Sequence, residues 1–539
     1  MNCIFCCVFS QEKYVEMFNL LLESTIIYGN LNDDIDILIY TSTIFMNMIK
    51  ENHLFNEKIK FEINDQYNNI DQACKARLDC FNLPLILNYN KILYLDTDIL
   101  IKDDINKIFK ICKEDILYVL EEGNLLETND YYGEVTLFGN EINNYDDKSA
   151  FTSGILLYNN CKKIKDLFNK INEDIINRPH TFFCYDQPYI VYNAFKYNLY
   201  NNKILKSLVV NNDYNIHSDK VIHHFPGYPG KYDHKIEKMK IFLNNIKDFT
   251  INTIINITKI YINDNLLPII NKCDELLERN IFMCHNSTKY TDIYLNKTKN
   301  ICNLLLNKNI KNVMEIGFNA GFSTLLMLLT NNNVHITCFD LGEHKYTLQC
   351  YEKLKETFGE RINIIIGDST KTLKNINNSY DLIHIDGGHS TEVASSDIIN
   401  SYRLSKQGTI LIMDDYDFDN LHQLWDNYIK KYNLKPLIIN IYDSPHHDIK
   451  YICKTNEIQN ICKIDEIQNK SYSWENSFIT FLDNCEMYAF GKGHYIIINK
   501  HNIIAFFGGK IHDIFFYDDY TSFISTRHND LIIVKGKLL

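Results

Sequence analysis

The chain has 539 residues, of which 45% are hydrophobic and 23% charged, and its formal net charge is −13. This composition is ordinary for a globular protein, and the length predicts about three or four domains. The acidic balance argues against a nucleic-acid partner and against docking on anionic membranes. No run approaches the roughly 18 apolar residues of a membrane span, so we expect no span.

The first nine residues predict a buried strand. They lack a basic leader and a small-residue cleavage site, which argues against a signal peptide. Cys6 and Cys7 would point to opposite faces of that strand, which argues against a shared metal site there. The 16 Cys are scattered along the chain, so we expect reduced thiols and a cytoplasmic location.

Four regions follow one another along the chain. Residues 1–235 alternate short apolar runs with helical patterns, including Ile35 to Tyr40 and Lys91 to Leu95, and predict an α/β sheet. Residues 236–284 contain no glycine and predict a helical connector. Residues 285–460 resume the strand–helix rhythm of a doubly wound sheet, with buried strands predicted at 313–316, 334–340, 362–366, 381–386 and 409–413.

Residues 470–539 predict a small all-β module. Six short strand candidates follow one another, at 477–482, 487–490, 495–499, 503–507, 514–517 and 531–534, and glycines punctuate them. The many aromatic residues of this module favour a β core over a sugar-binding platform. Its role stays open.

Two aspartates end the apolar run Leu93-Tyr94-Leu95. Because ligands of open α/β sheets gather beyond the carboxyl ends of strands, Asp96 and Asp98 could converge on one Mg²⁺ or Mn²⁺ and bridge it to a diphosphate. Taken alone, the Asp-x-Asp pair fits a solvated turn better.

The order of motifs over residues 1–235 resembles the glycogenin-like, family-eight retaining glycosyltransferases of the GT-A fold. The motifs are Arg77, Asp96-Thr97-Asp98, Phe151-Thr152-Ser153-Gly154, Tyr185-Asp186-Gln187 and His224-Phe225-Pro226-Gly227. The resemblance implies a UDP-sugar donor and a glycan or glycoprotein acceptor. It also implies that Asp96, Asp98 and His224 bind Mn²⁺.

The same resemblance assigns further residues. Arg77 and Lys231 would face phosphate or sugar, Asp186 and Gln187 would lie near the reaction centre, and Gln11 and Tyr14 match the uridine-binding start weakly. Thr152 replaces a common Asn, and Lys231 comes one residue later than usual and is followed by Tyr232. The acceptor side is therefore open, and His223 is an alternative to His224 as the ligand.

A second motif, Glu315-Ile316-Gly317-Phe318-Asn319-Ala320-Gly321, lies between a predicted strand and helix. Glycines let the backbone approach a ligand, and Ser323 could cap the helix. Asp340, Asp368 and Asp386 each end or follow a predicted strand, and Asp340 could bind ribose hydroxyls.

This region resembles class I S-adenosylmethionine-dependent methyltransferases, and more closely the metal-dependent O-methyltransferases that act on sugar hydroxyls. The marks are Asp386-Gly387-Gly388-His389 and Met413-Asp414-Asp415. The resemblance implies that Asp386, Asp414 and Asp415 bind Mg²⁺ and that His389 is the base. The predicted cofactor-binding residues are Glu315, Gly317, Gly321, Ser323, Asp340 and Asp368.

Two nearby histidine positions carry weaker expectations. His384 lies within its predicted strand and is interpreted as structural. His446-His447-Asp448 follows Pro445 and predicts a solvated loop, with acceptor contact as the alternative.

The combined prediction is a bifunctional glycan-building enzyme, resembling the multidomain glycan enzymes of large DNA viruses, in the host cytoplasm or virion if viral. One domain would transfer a hexose from a UDP-sugar with retention, and the other would methylate a sugar hydroxyl. The alternatives are a methyltransferase for a non-sugar small molecule with an incidental fusion, and a non-catalytic glycan-binding structural protein. The oligomeric state stays open.

Overall fold

The computed structural model describes residues 1–126, 131–145, 148–227, 232–437, 441–452, 470–474, 477–482, 486–488, 492–497, 502–507, 510–517, 520–527 and 532–539. The chain folds into two compact units, Met1–Thr250 and Ile251–Leu539. The predicted division into four domains stays a prediction beside these two units.

The first unit contains two sheets. Its strands are β1 (Asn2–Val8), β2 (Ile35–Thr41), β3 (Ile59–Ile63), β4 (Lys91–Leu95), β5 (Ile99–Ile101), β6 (Leu117–Asn124), β7 (Ser149–Asn159), β8 (Tyr200–Asn201), β9 (Val209–Asn211) and β10 (Ile222–His224). The main sheet has the order β3-β2-β1-β4-β7-β6-β8, with β1 to β4 parallel and β7 antiparallel to β4. A small sheet has the order β5-β10-β9.

Helices connect these strands. They are α1 (Glu12–Tyr28), α2 (Thr43–Lys50), α3 (Ile70–Lys75), α4 (Asn106–Ile111), α5 (Glu134–Phe138), α6 (Lys162–Asn177), α7 (Gln187–Lys196) and α8 (Tyr232–Tyr261), and 3₁₀ turns lie at Ala76–Asn82, Pro84–Asn88, Gly139–Tyr145 and Leu205–Ser207. β2 is buried along its whole length, as expected of a central strand covered on both faces. α6 buries Ile164, Leu167, Phe168 and Ile171, the spacing of one helix face.

α8 begins in the first unit and ends in the second. Within the first unit it packs Ile236, Met239 and Phe242 into a cluster with Met17 and Leu100. The prediction of a connector from 236 to 284 is only partly right. α8 begins earlier, at Tyr232, and residues 273–294 form no helix.

The second unit holds another α/β sheet. Its strands are β11 (Asn312–Ile316), β12 (His335–Asp340), β13 (Ile362–Ile366), β14 (Tyr380–Ile385), β15 (Ser405–Asp414), β16 (Lys435–Pro436) and β17 (His447–Tyr451). The order is β13-β12-β11-β14-β15-β17-β16, parallel from β13 to β15, with β17 antiparallel. The predicted strand–helix alternation and doubly wound α/β class are confirmed.

Seven helices and several shorter turns surround this sheet. The helices are α9 (Leu267–Lys272), α10 (Leu295–Leu305), α11 (Phe322–Thr330), α12 (Thr347–Phe358), α13 (Ser369–Thr372), α14 (Thr391–Arg403) and α15 (Asp419–Tyr432), with a π turn at Ile262–Leu266 and 3₁₀ turns at Gly359–Arg361 and Leu373–Asn375. Trp425 of α15 is fully buried in one core with Ile398 of α14 and Leu411 of β15. Nowhere in the described ranges is a helix both long enough and apolar enough for a membrane span.

The last sheet has eight strands rather than the six predicted. They are β18 (Lys470–Trp474), β19 (Ser477–Phe481), β20 (Glu486–Tyr488), β21 (Lys492–Ile497), β22 (Asn502–Phe507), β23 (Lys510–Phe516), β24 (Ser522–Arg527) and β25 (Ile533–Lys537). Each strand pairs antiparallel with the next. Tyr472 bridges to Leu538, and the Leu539 amide donates to the Ser471 carbonyl at 2.9 Å, so the sheet closes on itself and protects its edges.

The aromatic residues of this module divide between core and surface. Trp474 and Phe516 are buried, as the core interpretation predicts. Phe478, Tyr488, Phe515 and Tyr517 are roughly half exposed, which the interpretation missed. The side chains of Phe490, Tyr495, Phe506 and Phe507 lie outside the described residues.

Candidate active sites

The first candidate site lies where β4 ends. Asp96 and Asp98 follow β4, and β10 pairs antiparallel with β5 so that His224 lies opposite Ile99. This register brings His224 Nε2 to 3.5 Å from Asp98 Oδ1. One potential ligand atom from each of Asp96, Asp98 and His224 lies within 4.8 Å of the others. The structure therefore brings the three predicted metal ligands together.

The chemistry of this cluster suits a divalent cation. Asp98 Oδ1 is buried and has no hydrogen-bond partner in the described part of the chain. His224 Nδ1 lies 2.8 Å from Asn211 Oδ1, which fixes the ring so that Nε2 faces the aspartates. A Cβ on Gly154 would lie 2.9 Å from Asp96 Oδ2, so only glycine leaves this space open.

The neighbouring histidine turns away from the cluster. His223 Nδ1 bonds the Asp213 carbonyl at 3.0 Å, and its ring packs against Phe242. Of the two histidines that the sequence leaves as alternatives, the structure brings only His224 to the aspartates.

Arg77 is bound to two carboxylates. Its guanidinium lies 3.3 Å from Asp96 and 3.0 Å from Asp186, and it donates to the Ser153 carbonyl at 2.6 Å. Asp186 is fully buried, and burial raises its pKa to about 6 although Arg77 acts in the opposite direction. Arg77 therefore links Asp96 to Asp186.

Lys235 is a further cation at this site, and the sequence did not predict it. It lies in the first turn of α8, and its ammonium donates to Asp98 Oδ2 at 2.6 Å. Burial acts to raise the pKa of Asp98, but the charges of Lys235 and His224 hold it below its usual range. The predicted Lys231 lies outside the described residues.

These groups line a cavity of about 600 Å³, large enough for a sizeable ligand. Arg77, Lys235, Tyr14 and Gln187 all reach it, whereas Gln11 is exposed and not among its lining residues. Gln187 Oε1 accepts from the Ser153 amide at 2.9 Å.

Aromatic side chains line another part of the same cavity. Tyr131 and Phe183 lie with their ring centroids 5.4 Å apart, and Phe183 remains 45% exposed. Tyr185 also lines the cavity and holds a left-handed backbone with φ of 50°, which is strained for a bulky residue and typical of functional sites.

The second candidate site lies at the carboxyl end of β11. Gly317 has φ of 94°, and a Cβ there would lie 1.9 Å from the Asp386 carbonyl, so this position requires glycine. Asp340 Oδ2 accepts from the amides of Phe318 and Asn319 at 2.9 and 2.8 Å and thereby holds the glycine loop. The predicted ribose contact of Asp340 stays a prediction.

The other predicted cofactor-binding residues are Gly321, Ser323, Asp368 and Glu315, and each has its own role in the local structure. Gly321, with φ of 75°, is the N-cap of α11, so the expectation that Ser323 caps this helix is wrong; Ser323 lies one residue inside it. Asp368 caps the short helix α13 by accepting from the Thr370 amide at 3.0 Å. Glu315 is fully buried and bonds Thr324 and His384.

A carboxylate cluster joins the ends of β14 and β15. Potential ligand atoms of His384, Asp386 and Asp414 all lie within 4.8 Å of one another. His384 Nε2 lies 3.1 Å from Asp414 Oδ2, and its Nδ1 lies 3.0 Å from Glu315 Oε1. His384 is therefore part of the cluster as well as of the core.

Burial and neighbouring charges shift the pKa values of two residues in this cluster. Burial and the charge of Asp414 raise the pKa of Asp386 to about 8. Burial alone would lower the pKa of His384, but Asp414 and Glu315 raise it to about 10. Burial is the larger cause for Asp386, and the positive charges of Lys297 and His384 act in the opposite direction.

Asp415 follows β15 with φ of 54° and lies between two basic groups. Its Oδ1 lies 2.5 Å from Arg279, and its Oδ2 lies 2.6 Å from His389 Nε2. The hydrogen bond with Asp415 raises the pKa of His389, although burial acts against it. Lys297 of α10 contacts Asp414.

The predicted solvated loop at His446-His447-Asp448 is wrong. His447 begins β17, pairs with Asp414 and is only 5% exposed, and burial lowers its pKa to about 4. Asp448 accepts from the Trp425 indole at 2.7 Å. His447 and Asp448 therefore belong to a strand of the sheet that lies between β15 and β16.

Four residues at these sites escaped prediction for different reasons. His384 lies two residues before Asp386, and the period-two alternation of a strand could have placed both on one side. Lys235 lies 11 positions after His224, beyond the motif that ends at Gly227. Arg279 and Lys297 precede the first strand of their sheet, and no local pattern links them to Asp414 or Asp415.

Comparison with known proteins adds a family match and several fold likenesses. Residues 314–416 match a family model described as a methyltransferase domain. The matched residues lie within the second unit. No curated protein matches the sequence.

Solved structures of both predicted classes are similar to this chain. The WbbM bifunctional glycosyltransferase has a TM-score of 0.33 and 13% identity, over 45% of this chain and 51% of that one. Mouse xyloside xylosyltransferase 1 has a TM-score of 0.31 and 12% identity, over 42% and 98%. The Podospora anserina methyltransferase PaMTH1 has a TM-score of 0.25 and 15% identity, over 29% and 76%. The chain thus spans about half the length of WbbM, and the likenesses concern the fold alone.

Proposed function

We propose that this chain is a bifunctional glycan-building enzyme. One site would transfer a hexose from a UDP-sugar with retention, and the other would transfer a methyl group from S-adenosylmethionine to a sugar hydroxyl. The observation that carries the proposal is the pair of ligand clusters, Asp96–Asp98–His224 and His384–Asp386–Asp414, each at the carboxyl ends of the strands of an α/β sheet.

At the first cluster, the residues present suit the departure of a diphosphate. Asp96, Asp98 and His224 would hold Mn²⁺, which when bound supplies Lewis-acid stabilisation of the leaving group. Lys235 places a positive charge beside Asp98, where negative charge develops as the sugar–phosphate bond breaks. Arg77 orients Asp96 through its bonds to Asp186 and Ser153.

The aromatic part of the cavity supports a sugar acceptor. The rings of Tyr131 and Phe183, tilted by 50° to each other, offer apolar surface against which a pyranose can pack. Gln187, fixed by the Ser153 amide and by the Tyr131 carbonyl at 3.2 Å, adds a polar group that can orient donor or acceptor hydroxyls.

At the second cluster, His389 is suited to be the base. Its Nε2 lies 2.6 Å from Asp415 Oδ2, which leaves Nδ1 to take the proton from the acceptor hydroxyl. The raised pKa of His389 strengthens it as a base. The glycine loop, Asp340 and Asp368 would hold S-adenosylmethionine, which supplies the activated methyl group. Asp386, Asp414 and Asp415 would hold Mg²⁺, which lowers the pKa of a bound hydroxyl.

The hexosyl-transfer half is tested by UDP release. The purified chain is incubated with Mn²⁺ and each of several UDP-sugars, with and without oligosaccharide acceptors, beside an Asp98→Asn variant. We expect the parent to release UDP from one of the donors, and we expect the Asp98→Asn variant to have lost this release. Release that is equal in the variant would contradict the assigned site.

The methyl-transfer half is tested by release of S-adenosylhomocysteine with glycosylated and unglycosylated acceptors. Methylation of catechols but never of sugars would contradict the sugar assignment. If neither UDP-sugar with Mn²⁺ nor S-adenosylmethionine raised the melting temperature, the chain would be a non-catalytic protein instead.

A further inference from the structure

Lys297 lies inside the second carboxylate cluster. It belongs to the first turn of α10 and is only 5% exposed, and its ammonium contacts Asp414 Oδ2. The same oxygen lies 3.1 Å from His384 Nε2, and Asp414 Oδ1 accepts from the Asp415 amide at 2.7 Å. Both oxygens of Asp414 are therefore bound by groups of the chain.

We propose that Lys297 is a built-in cation of this cluster that competes with a divalent ion for Asp414. A metal ion that binds either oxygen of Asp414 shares this carboxylate with the Lys297 ammonium or displaces the ammonium from it. Two positive charges on one buried carboxylate repel strongly. The proposal rests on the methyl-transfer site described above and concerns its affinity for metal. It predicts that removing the charge of Lys297 tightens divalent-ion binding.

The surroundings of Lys297 argue that it acts on the cluster rather than on the fold of α10. Its neighbour Thr298 donates to the Ile281 carbonyl at 2.9 Å, and Asn300 donates to the Tyr442 carbonyl at 2.8 Å. These bonds attach α10 to the rest of the unit. The ion pair of Lys297, in contrast, is made with Asp414.

The test measures the affinity for Mn²⁺ from the electron paramagnetic resonance signal of the free ion. All proteins carry Asp96→Asn and Asp98→Asn, so that the cluster of the first unit does not contribute. In this background we compare the parent with Lys297→Met, Lys297→Arg and Lys299→Met. Lys299 lies on the same helix, with its ammonium over the Tyr442 ring at 5.0 Å, and is the matched control.

We expect Lys297→Met to bind Mn²⁺ at least tenfold more tightly than the parent. Lys297→Arg and Lys299→Met should stay within twofold of it, and adding Asp414→Asn to Lys297→Met should abolish the gain. Unchanged or weaker binding by Lys297→Met, with a cooperative thermal transition, would overturn the proposal. If that variant does not fold, Lys297→Gln replaces it under the same criterion.

This measurement is independent of the methyl-transfer assay. Tighter Mn²⁺ binding without methylation of any acceptor would support the role of Lys297 and contradict the proposed function. Methylation of a sugar acceptor together with unchanged Mn²⁺ binding by Lys297→Met would support the proposed function and contradict the role of Lys297.

Discussion

Replacing Lys235 with methionine removes the positive charge beside Asp98 and keeps the length of the side chain. The side chain of Lys235 is 15% exposed, and its ammonium lies 2.6 Å from Asp98 Oδ2. At about 4 Å and an effective dielectric constant of about 20, one charge pair is worth about 4 kcal/mol. Asp98 already neutralises part of the ammonium charge. If about half remains for the leaving diphosphate, the loss is about 2 kcal/mol, or about thirtyfold in kcat.

The assay is the rate of UDP release at saturating donor and Mn²⁺. Lys238→Met is the matched control, because Lys238 lies one helical turn further on with its ammonium over the Tyr214 ring at 5.3 Å. We expect the control to retain kcat within twofold. A folded Lys235→Met protein with the parental kcat would refute the assignment of Lys235 to the leaving group.

Three further predictions concern stability, each measured by urea unfolding. Gly317→Ala should lower the free energy of unfolding by about 3 kcal/mol or more, because its Cβ would overlap the Asp386 carbonyl. Gly408 also has a positive φ, of 86°, but open space around it, so Gly408→Ala should cost only about 1–2 kcal/mol. Equal losses in the two variants would contradict the overlap at Gly317. Burial raises the pKa of Asp186 from 3.8 to about 6, so the folded state holds this proton more tightly and the free energy of unfolding should fall by about 3 kcal/mol as the pH rises from about 4 to about 6. Asp186→Asn should lose that part of the pH dependence. If the free energy of unfolding of this variant depended on pH as steeply as that of the parent, the raised pKa of Asp186 would be contradicted. Lys247→Met should lower the free energy of unfolding by about 3–5 kcal/mol, because it leaves the buried Glu23, 2.8 Å away, without its partner. Adding Glu23→Gln should restore part of this loss. No recovery in the double variant would refute the buried pair.

The strands of both α/β sheets were largely predictable because buried parallel strands are continuous apolar runs. β4 has the predicted bounds, Lys91–Leu95, and the five strands predicted from Val313 to Met413 all form. The closed sheet was harder because its strands are short. β18 alternates over only two apolar residues, Tyr472 and Trp474, and β24 carries no clear alternation of apolar and polar residues. The four-domain division, the viral resemblance and the cytoplasmic location stay predictions.

The carboxylates of the sites were predictable because strand ends at one edge of a parallel sheet converge. That reasoning brings Asp386, after β14, to Asp414, at the end of β15, whereas Asp96 and Asp98 are close because both follow β4. The groups that neutralise these carboxylates were not predictable. Lys297 reaches Asp414 from 117 positions away along the chain, and such contacts depend on how helices pack rather than on any local pattern.

The most direct test of the proposed bifunctional enzyme is a crossed assay on one preparation. UDP release and release of S-adenosylhomocysteine are measured for the parent, for Asp98→Asn and for Asp386→Asn, each with an oligosaccharide acceptor. The proposal predicts that Asp98→Asn loses only UDP release and that Asp386→Asn loses only methyl transfer. A parent protein that releases neither product with any donor and acceptor, or variants that lose both activities while still folded, would contradict two separate transferase sites.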